Sequence, residues 1–101
     1  MKTKKKTKLW YWQERARNEV CTCEKCGSTN NITVDHIIPV MILEPLILDA
    51  PKERYEMLYN WEENFQFLCR YCNKQKGHKL DIRNPKTIPL LDEFIKILKT
   101  L

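Results

Sequence analysis

The sequence predicts one small α+β domain, and three observations carry that reading. The chain has 101 residues, 43% apolar and 31% charged, which is the length of one domain and a globular composition. A run rich in β-branched residues, Ile32 to Ile38, reads as a strand. Helical spacing recurs on both sides of it, most clearly near the C-terminal end.

Residues 1–8 hold five lysines and no acid, a basic arm. Leu9 to about Glu19 then reads as a short helix with Trp10 and Tyr11 buried and Trp12 on another face. Cys23 to Asn31 is turn chemistry. The strand follows, and Pro39 should end it. Asp49 and Pro51 resemble a helix start, and Tyr55, Leu58 and Tyr59 follow at the i, i+3, i+4 spacing of a buried stripe, giving a helix to about Trp61. Pro89 opens a last helix over 89–101, with Asp92 and Glu93 early and Lys96 and Lys99 late, as the helix dipole prefers. Leu90, Leu91, Phe94, Ile95, Ile97, Leu98 and Leu101 give it an apolar face wide enough for core packing or for dimerisation.

The net charge of +5 is uneven. Without the arm the body is neutral. Asp35 to Glu63 carries seven acids against Lys52 and Arg54, and Gln66 to Lys86 carries six bases against Asp81. No apolar run approaches the roughly 18 residues of a bilayer span, so no membrane partner is expected. The positive start turns polar before an apolar h-region develops, which points to the cytoplasm.

Five cysteines, an odd number in a chain expected to meet a reducing compartment, favour metal ligation over disulfides. Cys23 and Cys26 form one Cys-x-x-Cys pair, followed by Gly27; 42 residues later Cys69 and Cys72 form another. Each two-residue gap lets a tight turn aim both thiolates at one ion, and sulfur suits zinc. Four thiolates close the site, so the zinc is expected to be structural. Cys21 could replace Cys23, but the turn before Gly27 makes Cys23 and Cys26 the better pair and leaves Cys21 as a buried free thiol.

Between and around these pairs run Val34-Asp35-His36-Ile37-Ile38-Pro39 and Asn64-Phe-Gln-Phe-Leu-Cys69-Arg-Tyr-Cys72-Asn73-Lys74-Gln75-Lys76-Gly77. This resembles the zinc-bearing HNH endonucleases, which show a Cys-x-x-Cys pair, an Asp-His-Ile-x-Pro strand, a middle Asn and a terminal Leu-Cys-x-x-Cys-Asn-x-x-Lys-Gly. The resemblance covers Cys23 to Gly77. It implies a ββα-metal fold, a single nuclease domain over residues 9–101, and metal-dependent hydrolysis of DNA phosphodiester bonds, as in small nucleases of bacteriophages and bacteria.

The resemblance also implies roles. His36 is the general base that activates water, Asp35 and Asn73 hold a catalytic Mg²⁺ or Mn²⁺, and Asn64 orients the loop carrying the base through backbone hydrogen bonds. Attack in line with the 3′ oxygen would leave a 5′-phosphate and a 3′-hydroxyl. Elementary chemistry agrees on His36, whose imidazole, with a pKa of about 6.5, is largely neutral at pH 7 yet accepts a proton. It raises one difficulty, because adjacent residues on a strand point to opposite faces, so Asp35 and His36 need a twist or bulge to share a site. Asn73 is equally suited to capping the helix after the second cysteine pair. Arg70, Lys74, Lys76 and Lys79 form a basic set expected to contact nucleic-acid phosphates, with Lys76 and Lys79 on one helix face. His78 reads as a solvated loop residue.

One departure from the family stands out. Twenty-seven residues without a glycine separate His36 from Asn64. Being acidic, the insertion over residues 40–61 should repel DNA, which favours core packing or a protein partner; it and the last helix are the surfaces left for a partner or homodimer. A catalytically inactive, zinc-stabilised binding or adaptor module is the alternative to the nuclease.

Overall fold

The computed structural model describes residues 6–100. Lys2, Lys4 and Lys5 of the arm, and Leu101, lie outside the described residues. Helix α1, Lys8–Asn18, is capped by Thr7, whose Oγ1 accepts from the Trp10 N–H at 3.1 Å. The arm's last lysine is thus helical. Strand β1, Ile32–His36, pairs antiparallel with β2, Phe65–Cys69, in unbroken register from Ile32 opposite Cys69 to His36 opposite Phe65.

Between the strands lie α2, Val40–Ile47, and α3, Lys52–Tyr59, followed by one 3-10 turn, Glu62–Asn64. After β2 come α4, Arg70–Lys76, and α5, Thr87–Lys99. No described helix is long and apolar enough to cross a membrane.

The pairing sorts side chains onto two faces, because successive strand residues alternate and paired residues share a side. Val34, His36, Phe65 and Phe67 share one face. Trp12 of α1 covers it, its ring 4.8 Å from that of Phe67 and 5.6 Å from that of Phe65, and its Nε1 donates to Glu62 Oε1 at 2.9 Å. The expectation that Trp10 and Tyr11 are the packed aromatics is corrected. Tyr11 is exposed, and Trp12 is the ring that meets the sheet. Thr33, Asp35, Gln66 and Leu68 share the other face, where α4 packs.

The insertion builds the main core. Leu43 and Ile47 of α2, Leu58 of α3, and Leu90 and Phe94 of α5 bury against Ile37 and Ile38. Helix α2 was not expected, since Pro45 removes a backbone donor inside it. Burial of Leu43 and Ile47 outweighs that loss. The strand stops at His36 rather than Ile38, and Pro39 becomes the residue that caps α2. Helix α3 ends at Tyr59, short of Trp61, whose ring stacks on Phe94.

Candidate functional site

The two Cys-x-x-Cys pairs converge. The Sγ atoms of Cys23, Cys26, Cys69 and Cys72 all lie within 4.8 Å of one another, and those of Cys26 and Cys69 are 3.7 Å apart. A tetrahedron with bonds of about 2.3 Å has edges of about 3.8 Å, the arrangement of zinc in four thiolates. Both knuckles are built alike. The Cys26 N–H donates to Cys23 Sγ at 3.5 Å, and the Cys72 N–H to Cys69 Sγ at 3.4 Å. Gly27 turns the first knuckle at φ 80°, in the left-handed region that glycine enters without strain.

The thiols respond unequally to this crowding. Burial raises Cys23, but hydrogen bonds from backbone at Cys69, Cys26 and Lys25 outweigh it and bring that thiol from 9.0 to about 6. Cys72 is pushed up to about 12 by burial and by its neighbouring thiols. Four thiolates cannot share this volume without a cation between them. The cluster therefore suits a structural metal such as zinc. Cys21 is buried but stands outside the cluster, its thiol 3.5 Å from the Arg15 carbonyl.

The first knuckle is docked on the sheet. Glu24 pairs with Phe67 twice, its N–H donating to the carbonyl at 2.9 Å and its Oε2 accepting from the Phe67 N–H at 2.8 Å. The exposed edge of β2 is thereby covered.

On the α4 face, Asp35 is enclosed. Its Oδ2 lies 2.9 Å from Lys76 Nζ and accepts from Gln66 Nε2 at 2.9 Å. Lys76 Nζ also donates to the His36 carbonyl at 2.7 Å, and Gln66 Oε1 accepts from Asn84 Nδ2 at 3.2 Å. Gln66 and Lys76 line a cleft of about 330 Å³ together with Lys25, Asp81, Arg83 and Lys86. The expectation that Lys76 contacts phosphate is corrected: it is 7% exposed, and its ammonium is turned inward onto Asp35. Helix α4 also ends at Lys76, so Lys79 lies beyond it and the two do not share a helix face.

Asn73 sits one turn earlier in α4. It does not cap the helix, which begins at Arg70 with Cys69 as its cap. Its Nδ2 donates to Thr33 Oγ1 at 2.8 Å, and Thr33 Oγ1 in turn donates to the Leu68 carbonyl at 2.8 Å. Thr33, Asn73, Arg70 and Lys74 line a shallow depression of about 360 Å³. Arg70, Lys74, His78 and Lys79 are exposed. Asp35 and Asn73 thus face the same side of the sheet and offer the carboxylate and amide oxygens that suit Mg²⁺ or Mn²⁺. Asp35 Oδ2 already carries two donors.

His36 points to the opposite face, because the register contains no bulge. Its ring meets Phe65 edge-on at 5.1 Å and Tyr59 at 5.4 Å. Nε2 lies 3.1 Å from the Tyr59 carbonyl. A carbonyl only accepts, so Nε2 carries the proton and Nδ1 is the acceptor of the neutral ring. Burial holds His36 below its ordinary 6.5, against smaller opposing effects of the Tyr59 bond and the Asp35 charge. Behind it, fully buried Asn64 accepts from the Ile38 N–H at 2.7 Å and donates to the Ile38 carbonyl at 3.1 Å.

The structure brings Asp35, Lys76 and Gln66 into one network and leaves Asn73 in a separate depression and His36 across the sheet. Gln66, Thr33 and the Tyr59 carbonyl were not singled out from sequence. For Gln66 a signal existed, since in a strand it shares a face with Leu68 and so with the side that α4 covers. No family model, no curated protein and no solved structure matches the chain, so the likeness to HNH endonucleases rests on the quoted residues alone.

Proposed function

We propose that this protein is a metal-dependent endonuclease of the HNH type that hydrolyses DNA phosphodiester bonds, with zinc in the four-cysteine site. The observation that carries the reading is the state of His36: neutral, with its proton held on Nε2 by Tyr59 and Nδ1 left as acceptor. That is what a general base for water needs at neutral pH. Asn64 braces the following loop through Ile38. A phosphodiester at the end of β1 would meet His36 from one face, with Asp35 on the other and able to act only once Lys76 is released from it. His36 Nδ1 takes the proton of the attacking water, and Arg70 and Lys74 hold flanking phosphates.

A divalent ion bound by Asp35 and Asn73 would supply the positive charge that phosphate and leaving oxygen require. A second reading, a zinc-tied binding module without catalysis, is favoured by one observation: Asp35 is already neutralised by Lys76. The two separate in a plasmid-nicking assay with Mg²⁺ or Mn²⁺. The nuclease reading expects nicking by the zinc-loaded protein and none by His36→Ala; equal cutting by that variant would remove His36 from the chemistry, and no cutting by either would favour the binding module.

A further inference from the structure

Lys76 holds a buried charge that the proposed chemistry does not use. Its side chain is 4% exposed and that of Asp35 10%, so the pair is shielded from water as surface pairs are not. The ammonium bonds Asp35 Oδ2 at 2.9 Å and the His36 carbonyl at 2.7 Å. Gln66 fills another position on the same oxygen at 2.9 Å. A hard divalent ion binds by recruiting carboxylate oxygens, and here a tethered monovalent cation already occupies one.

We propose that Lys76 is the resident counter-cation of Asp35 and that a divalent ion binds this carboxylate only when Lys76 leaves it, so that Lys76 sets the metal affinity of the site. The role given to the ion rests on the nuclease reading; the competition for Asp35 does not. The geometry supplies somewhere for the ammonium to go. Lys76 is the last residue of α4, Gly77 follows at φ 57°, and Lys76 lines the 330 Å³ cleft; Glu24 and Asp81 there are already paired, with Lys86 at 2.9 Å and Lys25 at 4.0 Å, so the cleft offers the ammonium space rather than a new partner. Two cations on one carboxylate oxygen repel, so each weakens the hold of the other.

The test is Mn²⁺ binding to zinc-loaded protein, followed by the electron paramagnetic resonance of free Mn²⁺. Lys76→Met should bind at least about fivefold more tightly than the unaltered chain, the lower range of a coupling between two ligands, and Asp35→Asn/Lys76→Met should lose the gain. Equal affinity with and without Lys76, absence of binding in both, or a gain that persists without Asp35 would each overturn the proposal.

Should Lys76→Met fail to fold, the unaltered chain answers by amine acetylation read by mass spectrometry. Lys76 should be protected and become labelled as Mn²⁺ is added; unchanged labelling at Mn²⁺ saturation overturns the idea. Tighter Mn²⁺ binding without plasmid cutting keeps the competition and removes the nuclease reading, whereas cutting without tighter binding does the reverse.

Discussion

Asn64 and Ile38 are joined through both polar atoms of the asparagine amide, which accepts from the Ile38 N–H at 2.7 Å and donates to its carbonyl at 3.1 Å. The side chain imitates a paired strand just where β1 has ended, and Ile38 and Asn64 are both fully buried. Asn64→Ala leaves that donor and that acceptor without partners or water. It should cost about 2–4 kcal/mol in urea unfolding. A loss below about 1 kcal/mol, no more than a single ordinary hydrogen bond, would show that the brace matters little.

Zinc should be a condition of folding. The apparent binding energy of a structural zinc, about 10–16 kcal/mol, matches or exceeds the total stability of a typical domain, about 5–15 kcal/mol. Elemental analysis should find one zinc per chain, and a strong chelator or Cys72→Ser should abolish the cooperative thermal transition. Cys21→Ala should keep the zinc, because that thiol is outside the cluster. Loss of zinc in Cys21→Ala would mean that the ligand set is wrong.

His36 predicts a pH dependence with a definite sign. Burial lowers its pKa in the folded chain below the ordinary 6.5. As pH falls through about 6.5 the unfolded chain takes up the proton first, so stability declines from there to the folded pKa and then levels. With zinc in excess, the urea midpoint should fall between about pH 7.5 and 5.5 by less in His36→Gln than in the unaltered protein. Any nicking activity should likewise decline only below about pH 6.5. An acid limb lying above that value would contradict the assignment of His36 as base.

Arg70 and Lys74 flank the depression at Asn73 and are exposed. On the nuclease reading each neutralises a DNA phosphate, and each such contact adds about 0.9 to the slope of log affinity against log salt. Arg70→Ala/Lys74→Ala should therefore lower that slope by about 2 in a titration by fluorescence anisotropy. An unchanged slope would place the DNA elsewhere. Without divalent ion, Lys76→Met should leave the slope alone, because its charge is buried on Asp35.

Much of the molecule is written locally. The cysteine spacing dictates two knuckles, the stripe of Tyr55, Leu58 and Tyr59 dictates α3, and the apolar spacing from Leu90 to Leu98 dictates α5, because turn geometry and 3.6-residue periodicity act over a few neighbouring residues; the expected opening at Pro89 is corrected, since α5 runs Thr87–Lys99 with no acid in its first turn. Helix α2 is not legible locally, since Pro45 removes a donor inside it, and the burial that offsets this comes from a core shared with Ile37, Ile38, Leu58, Leu90 and Phe94. The choice among Trp10, Tyr11 and Trp12 is non-local for the same reason. A helix pattern does not say which face will be covered, and Phe65 and Phe67 decide it.

The candidate site divides along the same line. Residue chemistry alone singled out the four cysteines as one candidate metal set, and the alternation of a strand already set Asp35 and His36 on opposite faces. Only the tertiary structure decided that no bulge reunites them, that Asn73 turns to Thr33, and that Lys76 closes on Asp35 instead of facing solvent. The reason is physical: a thiolate's affinity and a strand's alternation belong to the residue and its neighbours, whereas the partner of a buried charge is whichever opposite charge the packing of α4 on the sheet brings within reach.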